Sequence, residues 1–183
     1  DKPYGSPKLE ELCRGKHDIV IISSDHTRPV PSRVTMPILL RRIHAAAPEA
    51  RVRILVATGM HRPSTHEELV NKYGEKIVAE EEIVMHVATD DSMMEKVGTL
   101  PSGGECIINK VAADADLLLA EGFIEPHFFA GFSGSRKSVL PGVASYKTIM
   151  YNHNGQFVND SHSRAGNLCH NHVNEDMFAA AEM

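Results

Sequence analysis

The chain lacks tryptophan altogether, and its three cysteines, Cys13, Cys106 and Cys169, are scattered without a Cys-X-X-Cys pair. A disulfide framework is therefore not expected, and a reducing cytoplasm is the expected compartment. Basic residues number 19 against 24 acidic ones, for a net charge of −5, so no positively charged face for nucleic acid is indicated. Apolar runs such as residues 19–22 are far too short to span a bilayer, and no membrane partner is expected.

The 183 residues are 42% apolar and include eleven histidines, a composition that suits one globular domain. A run of β-branched residues at Asp18–Ser23 is apolar on both faces, which is typical of a buried parallel strand. Further strands are predicted at Arg51–Ala57 and Leu117–Ala120. Helical spacing over Ser32–Ala47 separates the first two. Since strands alternate with helices, the sequence predicts an α/β, Rossmann-like fold with a mainly parallel sheet and helices on both faces.

Weaker signals complete the predicted element order. A capping-box pattern at Ser64 and Glu67 predicts a helix that ends near Tyr73, and residues 107–115 fit either a helix or a strand. Short helices are predicted over residues 8–12 and 145–151, a short strand over 83–87, and a last helix from about Glu175. Residues 154–174 have the composition of a loop.

Three polar segments follow predicted strands: Asp25–Arg28, Gly59–Arg62 and Glu125–His127. Ligands of parallel α/β sheets bind outside the carboxyl ends of the strands. The alternation of elements thus predicts that these three segments meet in one active site.

His61 and His127 are the strongest candidates for acid–base chemistry. Each lies just past a strand end, and each stands near a glycine or proline that fixes the local backbone. A single histidine is more often a surface residue, but two in equivalent places suit a reaction that needs a proton carrier on either face of a substrate. Imidazole titrates near neutrality and can take and return a proton.

Lys137 follows a glycine- and serine-rich stretch, residues 131–138. The stretch fails the phosphate-loop pattern because Arg136 occupies the position of its second glycine. It could still bind an anion through backbone N–H groups, or it could be a flexible turn. If Lys137 is held in a cleft and desolvated, its amine becomes a nucleophile.

His153, His170 and His172 lie near Cys169 and raise the possibility of a zinc hydrolase, although their spacing matches no structural zinc pattern. A single histidine would suffice for a metal that is carried by a cofactor. The turn Asp25–Arg28 has two interpretations: Arg28 could bind a carboxylate or phosphate, or Asp25 could simply cap the following helix.

Five ordered segments together resemble the nickel-dependent lactate racemase family. They are Asp25-His26-Thr27-Arg28-Pro29, Thr58-Gly59-Met60-His61-Arg62-Pro63, the stretch from Glu125 to Gly134, Arg136-Lys137-Ser138-Val139-Leu140-Pro141-Gly142, and Asn152-His153. The resemblance runs from about Asp18 to the end of the chain. It implies that residues 1–183 are the catalytic, cofactor-binding N-terminal domain of a two-domain enzyme, a fragment that lacks the second domain and the first part of its own.

The resemblance also implies a cofactor and a role for each matching residue. The cofactor is a nickel pincer nucleotide, pyridinium-3,5-bisthiocarboxylic acid mononucleotide, bound covalently to Lys137 through a thioamide, with nickel ligated by His153. Asp25, His26, Thr27 and Arg28 would contact the cofactor, with Arg28 also near the substrate carboxylate. His61 and His127 would be the proton donor and acceptor.

The implied reaction is the interconversion of D- and L-lactate, or of another 2-hydroxy acid, by hydride transfer to and from the bound cofactor. Cofactor biosynthesis proteins are the implied partners. The chief alternatives from the residues alone are the zinc hydrolase and a nucleotide-binding regulatory module without turnover.

Overall fold

A computed structural model describes residues 2–183. Its centre is a four-stranded parallel sheet in the order β3-β2-β1-β6. Two antiparallel pairs, β4–β5 and β7–β8, lie outside this sheet. The strands are β1 (Asp18–Ser24), β2 (Arg51–Ala57), β3 (Glu82–Met85), β4 (Met94–Thr99), β5 (Glu105–Asn109), β6 (Leu117–Glu121), β7 (Pro126–His127) and β8 (Gly131–Phe132).

Helices connect the strands and cover the sheet. They are α1 (Leu9–Cys13), α2 (Ser32–Ala46), α3 (His66–Tyr73), α4 (Glu75–Glu80), α5 (Lys110–Ala113), α6 (Tyr146–Asn152), α7 (Gly155–Val158) and α8 (His172–Glu182). Short 3-10 helices span Asp91–Met93 and Ser135–Ser138. The prediction of an α/β fold with a mainly parallel central sheet is confirmed.

Successive residues of β1 point to opposite faces of the sheet and enter two separate hydrophobic cores. Val20 and Ile22 pack on the face that carries α6 and α8, whereas Ile19 and Ile21 pack on the face that carries α2 and α3. All four side chains are fully buried. Burial on both faces is why the strand is apolar throughout residues 19–22, and the predicted two-sided coverage of the sheet is confirmed.

The parallel register brings the carboxyl ends of three strands to one edge. Ser24 at the end of β1 pairs with Ala57 at the end of β2, and Ser23 pairs with Glu121 at the end of β6. The segments that follow β1 and β2 therefore start side by side, and the segment that follows β6 starts next to them. This edge is where the sequence places its polar residues.

Some local predictions were wrong. The capping box of α3 is Thr65 with Glu68, one residue later than expected: Thr65 Oγ1 accepts the Glu68 N–H (3.3 Å) and the Glu68 carboxylate accepts the Thr65 N–H (2.7 Å). Residues 107–115 are neither all helix nor all strand but the end of β5 followed by α5. Helix α4 and strand β4 were not predicted, and α8 begins at His172 rather than near Glu175.

No helix within residues 2–183 is long and apolar enough to traverse a bilayer. The cysteines are all free thiols: Cys13 and Cys106 are buried in the two cores and Cys169 is exposed.

Candidate functional site

A cleft of about 480 Å³ opens at the carboxyl edge of the sheet. Such a volume is in the range of small-molecule sites. Its walls come from the segments after β1, β2 and β6 and from the loop that carries Lys137. Six of the residues singled out from the sequence line it together: Asp25, Arg28, His61, His127, Lys137 and His153.

His61 is placed by a tight turn after β2. Its backbone N–H bonds the Thr58 carbonyl (2.9 Å), and Gly59 adopts a positive φ of 54° while its N–H bonds the Gly142 carbonyl (2.9 Å). The imidazole Nδ1 lies 2.6 Å from a carboxylate oxygen of Asp25. The ring is about half exposed (46%), so its other nitrogen remains available to a ligand.

Asp25 is buried, with 1% exposure. Its second carboxylate oxygen accepts the N–H (3.0 Å) and the hydroxyl (2.6 Å) of Thr27. Burial alone would raise the pKa of this carboxyl, but the hydrogen bonds from Thr27 and His61 outweigh burial and lower the pKa below its ordinary value. Asp25 is therefore an anion at neutral pH. The expectation that it caps α2 was wrong, because Pro31 is the N-cap and no side chain bonds that end of the helix.

His127 also lines the cleft and lies in the short β7–β8 pair. Its ring stacks on Phe128 (4.7 Å between centroids) and meets Phe129 edge-on (4.6 Å). Burial, followed by the charge of Lys137, lowers the pKa of His127 to about 4. The side chain is therefore neutral at physiological pH.

Lys137 is carried by the 3-10 helix Ser135–Ser138, which Gly134 precedes with φ 80° and ψ 178°. Its Nζ lies 5.8 Å from the centroid of the Phe129 ring. Burial, then the charges of Arg136 and Arg28, lower the pKa of the amine to about 8. A fraction of the amine is therefore unprotonated near neutrality, which is the form that attacks an electrophilic carbon.

His153 follows α6 directly and meets the Phe129 ring edge-on at 5.2 Å. Its Nδ1 is buried and makes no hydrogen bond within residues 2–183. Burial, then the charge of Lys137, lowers the pKa of this imidazole to about 4, so it is neutral. A neutral imidazole with an unused buried nitrogen suits a ligand for a transition metal.

Arg28, His26 and Thr27 share one turn but take different positions. Arg28 is exposed, lines the cleft, and makes no ion pair or side-chain hydrogen bond to the part of the chain that is described. His26 lies outside the cleft in a neighbouring depression, where Nδ1 is 3.0 Å from the Ser64 hydroxyl. Thr27 donates its hydroxyl hydrogen bond to the Asp25 carboxylate.

The zinc alternative finds no ligand set in this part of the chain. Among residues 2–183, no three His, Cys, Asp or Glu side chains are grouped so that they could hold a metal. His170 packs against His162, and His172 packs against Phe157 (5.6 Å), whereas His153 faces the cleft. Arg136 is also committed elsewhere, because its guanidinium bonds Asn174 (2.6 Å) and two loop carbonyls rather than an open anion site.

Two residues of the site escaped the sequence reasoning. Phe129 contacts His127, His153 and Lys137, and its place between candidate residues in the Glu125–Gly134 segment was the available signal. Glu121 ends β6 at the cleft and is buried (7% exposed). It is the polar residue that ends an apolar strand, and this resembles the signal of Asp25, which directly follows β1.

Comparison with known proteins gives a consistent picture. The profile of the family described as "lactate racemase N-terminal domain" matches residues 1–166. The chain is 74% identical to a lactate racemase of Lactiplantibacillus plantarum over 181 residues, 99% of this chain and 43% of that protein. It is 52% identical to a lactate racemase of Thermoanaerobacterium thermosaccharolyticum over 182 residues, again covering 43% of that protein. The chain thus spans less than half the length of these relatives.

Solved structures agree. The lactate racemase apoprotein of Thermoanaerobacterium thermosaccharolyticum superposes with a TM-score of 0.96 at 53% identity, covering 98% of this chain and 43% of that one. A protein from Thermotoga maritima superposes with a TM-score of 0.78 at 22% identity, covering 95% of this chain and 45% of that one, and shows a shared fold.

Proposed function

Since the chain belongs to the lactate racemase N-terminal domain family, we propose that it supplies the catalytic, cofactor-binding part of an enzyme that interconverts D- and L-lactate. The names of both relatives support this substrate, and the 43% coverage of each supports a second domain beyond this one. A larger or more polar 2-hydroxy acid would call for the same chemistry at the α-carbon.

One observation carries the proposal: two imidazoles, His61 and His127, line the same cleft from different strand ends. Racemisation needs proton transfer on both faces of the reacting carbon, since the two enantiomers present their hydroxyl groups differently. One imidazole takes the hydroxyl proton of the incoming 2-hydroxy acid, which becomes a planar 2-keto acid. The other returns a proton to the oxygen when the opposite face is reduced. A positioned acid or base contributes roughly 10²–10⁴ in rate to such a step.

Arg28 is suited to hold the substrate carboxylate. Its guanidinium lines the cleft without a partner in the described residues, and guanidinium forms bidentate hydrogen bonds with carboxylates. A fixed carboxylate would keep the α-carbon in reach of both histidines.

The residues present fit a nickel pincer nucleotide. Lys137 offers a buried amine with a lowered pKa for covalent attachment, and His153 offers a buried nitrogen without a hydrogen bond for the metal. Asp25 and Arg28 line the wall where the remainder of the nucleotide would lie. When bound, the nucleotide would accept the substrate's α-hydrogen as hydride and give it back.

The proposal extends to partners and compartment. A cofactor of this kind has to be made by separate biosynthesis proteins, which are the expected partners together with the 2-hydroxy acid. The free thiols of Cys13, Cys106 and Cys169 suit a reducing cytoplasm, where we place the protein.

The test is to produce the full-length protein in a host that makes the cofactor and to incubate it with L-lactate deuterated at C2. We expect D-lactate to form, resolved by chiral chromatography, with deuterium retained at C2 because the hydrogen leaves and returns as hydride. Loss of the deuterium to water would contradict hydride transfer. Binding of lactate without formation of D-lactate would favour a regulatory module instead.

A further inference from the structure

The two cleft histidines are held in different ways, and the difference lies in what their Nδ1 atoms face. His61 Nδ1 faces a carboxylate oxygen of Asp25 at 2.6 Å. His127 Nδ1 faces backbone N–H groups, at 3.3 Å from Ala130 N and 3.5 Å from Phe129 N. A carboxylate can only accept a hydrogen bond, and a backbone N–H can only donate one. The two rings therefore require opposite tautomers.

We infer that Asp25 is the positioning residue of His61: its carboxylate fixes the proton on Nδ1 and leaves Nε2 as the nitrogen that exchanges protons with the substrate hydroxyl. This inference rests on the proposed function. It assigns Asp25 a role in orienting the proton carrier, beyond the cofactor contact that the family resemblance implies for the turn.

The Asp25 carboxylate is well fixed for this task. One oxygen is anchored by the backbone N–H (3.0 Å) and the hydroxyl (2.6 Å) of Thr27, and the other is left for His61. Because Asp25 is 1% exposed, bulk water does not compete for the bond to the imidazole. When His61 takes a proton, the same carboxylate stabilises the resulting imidazolium.

The two simpler roles for Asp25 do not account for its geometry. It does not cap α2, whose N-cap is Pro31 without a side-chain bond. A residue that only closed its own turn would need the two bonds from Thr27 alone, whereas Asp25 also reaches 36 residues along the sequence to His61.

Asp25→Asn tests the inference because it keeps the shape and reverses one hydrogen bond. The two donors of Thr27 hold the amide oxygen on their side, so the amide NH₂ faces His61 Nδ1. His61 must then carry its proton on Nε2, where it cannot accept one from the substrate. An equivalent substitution in the Ser-His-Asp triad fixes the wrong tautomer with little change of structure.

The first readout does not depend on turnover. In ¹⁵N-histidine-labelled full-length protein, long-range ¹H–¹⁵N spectra report the tautomer of each ring, and the His61 signals are assigned by their absence in His61→Ala. We expect His61 to be Nδ1-protonated in the parent and Nε2-protonated in Asp25→Asn, with His127 unchanged. A parent His61 that already carries its proton on Nε2 would overturn the inference.

The second readout is racemisation by the cofactor-loaded enzyme, with loading checked by the mass of the Lys137 adduct and by nickel content. We expect Asp25→Asn to lower kcat by roughly 10²–10⁴ with little change in KM. A loss of the cofactor with an unchanged His61 tautomer would assign Asp25 to the cofactor instead.

Asp160→Asn is the matched control. Asp160 also accepts from a histidine Nδ1, that of His162 at 3.0 Å, but this pair is exposed and lies outside the cleft. Its substitution should leave kcat unchanged. If His61→Ala itself racemises at the parent rate, the two-base function fails, whereas loss in His61→Ala with full activity in Asp25→Asn overturns only the role of Asp25.

Discussion

The amine of Lys137 lies over the ring of Phe129, with 5.8 Å between Nζ and the ring centroid. The same ring meets His153 edge-on at 5.2 Å and His127 edge-on at 4.6 Å. Phe129 thus contacts the proposed attachment residue, the proposed metal ligand and one proposed proton carrier. An aromatic face attracts an ammonium group and contributes between about 0.5 and 2 kcal/mol, depending on solvent exposure.

Phe129→Leu should reduce cofactor loading several-fold, because the ring packs against both the proposed attachment residue and the proposed metal ligand. Leucine keeps the apolar character but loses the flat ring that contacts Lys137 and the two imidazoles. The measurement is the fraction of full-length protein that carries the Lys137 adduct, read from the intact mass. Phe178→Leu is the control, because Phe178 is exposed (54%) on α8 and should not alter loading. Equal adduct fractions in Phe129→Leu and the parent would show that the ring has no part in holding the site.

Gly134→Ala should displace Lys137. Gly134 has φ 80° and ψ 178°, a backbone region that is almost restricted to glycine, and it precedes the 3-10 helix that carries the lysine. An added Cβ would stand 2.5 Å from the Phe123 carbonyl oxygen. We expect a loss of about 1–3 kcal/mol in the free energy of unfolding and a lower adduct yield.

Gly155→Ala provides the comparison for that substitution. Gly155 opens α7, and the nearest atom to an added Cβ is Asn159 Nδ2 at 3.9 Å. Alanine should be neutral or slightly stabilising there. Equal urea midpoints and adduct yields for the two variants would contradict a backbone constraint at Gly134.

Much of the fold followed from local patterns. Strands β1 and β2 were predicted to within one residue because both of their faces are buried, which leaves an apolar run within each, residues 19–22 in β1 and 54–57 in β2. Strand β4 was missed because half of its residues are exposed, so it lacks the apolar run of a buried strand, and it pairs only with β5, outside the central sheet. The capping box of α3 shifted by one residue because Ser64 and Thr65 offer the same chemistry and only geometry chooses between them.

The site was predictable only in its broad placement. Parallel strands end at one edge, so the meeting of the segments around His61 and His127 could be expected from topology. The Asp25–His61 hydrogen bond could not, because it depends on the side-chain directions of two turns 36 residues apart. Likewise, His26 is adjacent to Asp25 in sequence yet points to Ser64, away from the cleft.

His86 should make stability depend on pH. Its side chain is fully buried next to β3, with Nε2 donating to the Ala144 carbonyl (3.0 Å) and Nδ1 accepting from the Asn109 amide (3.3 Å). Burial lowers its pKa to about 4 in the folded state, against about 6.5 in the unfolded chain. Between these values only the unfolded chain binds the proton, so stability is full above pH 6.5 and falls towards pH 4 by up to about 3 kcal/mol.

Urea denaturation of the parent and His86→Gln at pH 5 and pH 7 checks this. Glutamine can still donate to Ala144 but does not titrate in this range. The variant should therefore have a lower free energy of unfolding than the parent at pH 7, and this free energy should fall less between pH 7 and pH 5. If both proteins lose the same free energy between pH 7 and pH 5, His86 is not the origin of the dependence.

Glu121 should be a structural carboxylate of the cleft wall. It accepts hydrogen bonds from Ser23 (2.8 Å), Ser32 (2.7 Å) and Thr35, and so joins the ends of β1 and β6 to the start of α2. Glu121→Ala leaves these hydroxyls without their acceptor and should lower the free energy of unfolding by about 2–4 kcal/mol. Glu121→Gln should cost less, because hydroxyls can rotate and accept from an amide. An alanine variant as stable as the parent in urea would refute this role.

Racemisation by His61→Ala and His127→Ala tests the central claim most directly. Both variants are prepared as cofactor-loaded full-length enzyme, with His162→Ala, an exposed histidine outside the cleft, as the control. The account predicts that each cleft variant keeps its nickel and its Lys137 adduct and loses racemisation in both directions, while the control is unaffected. Turnover at the parent rate by either cleft variant would contradict it.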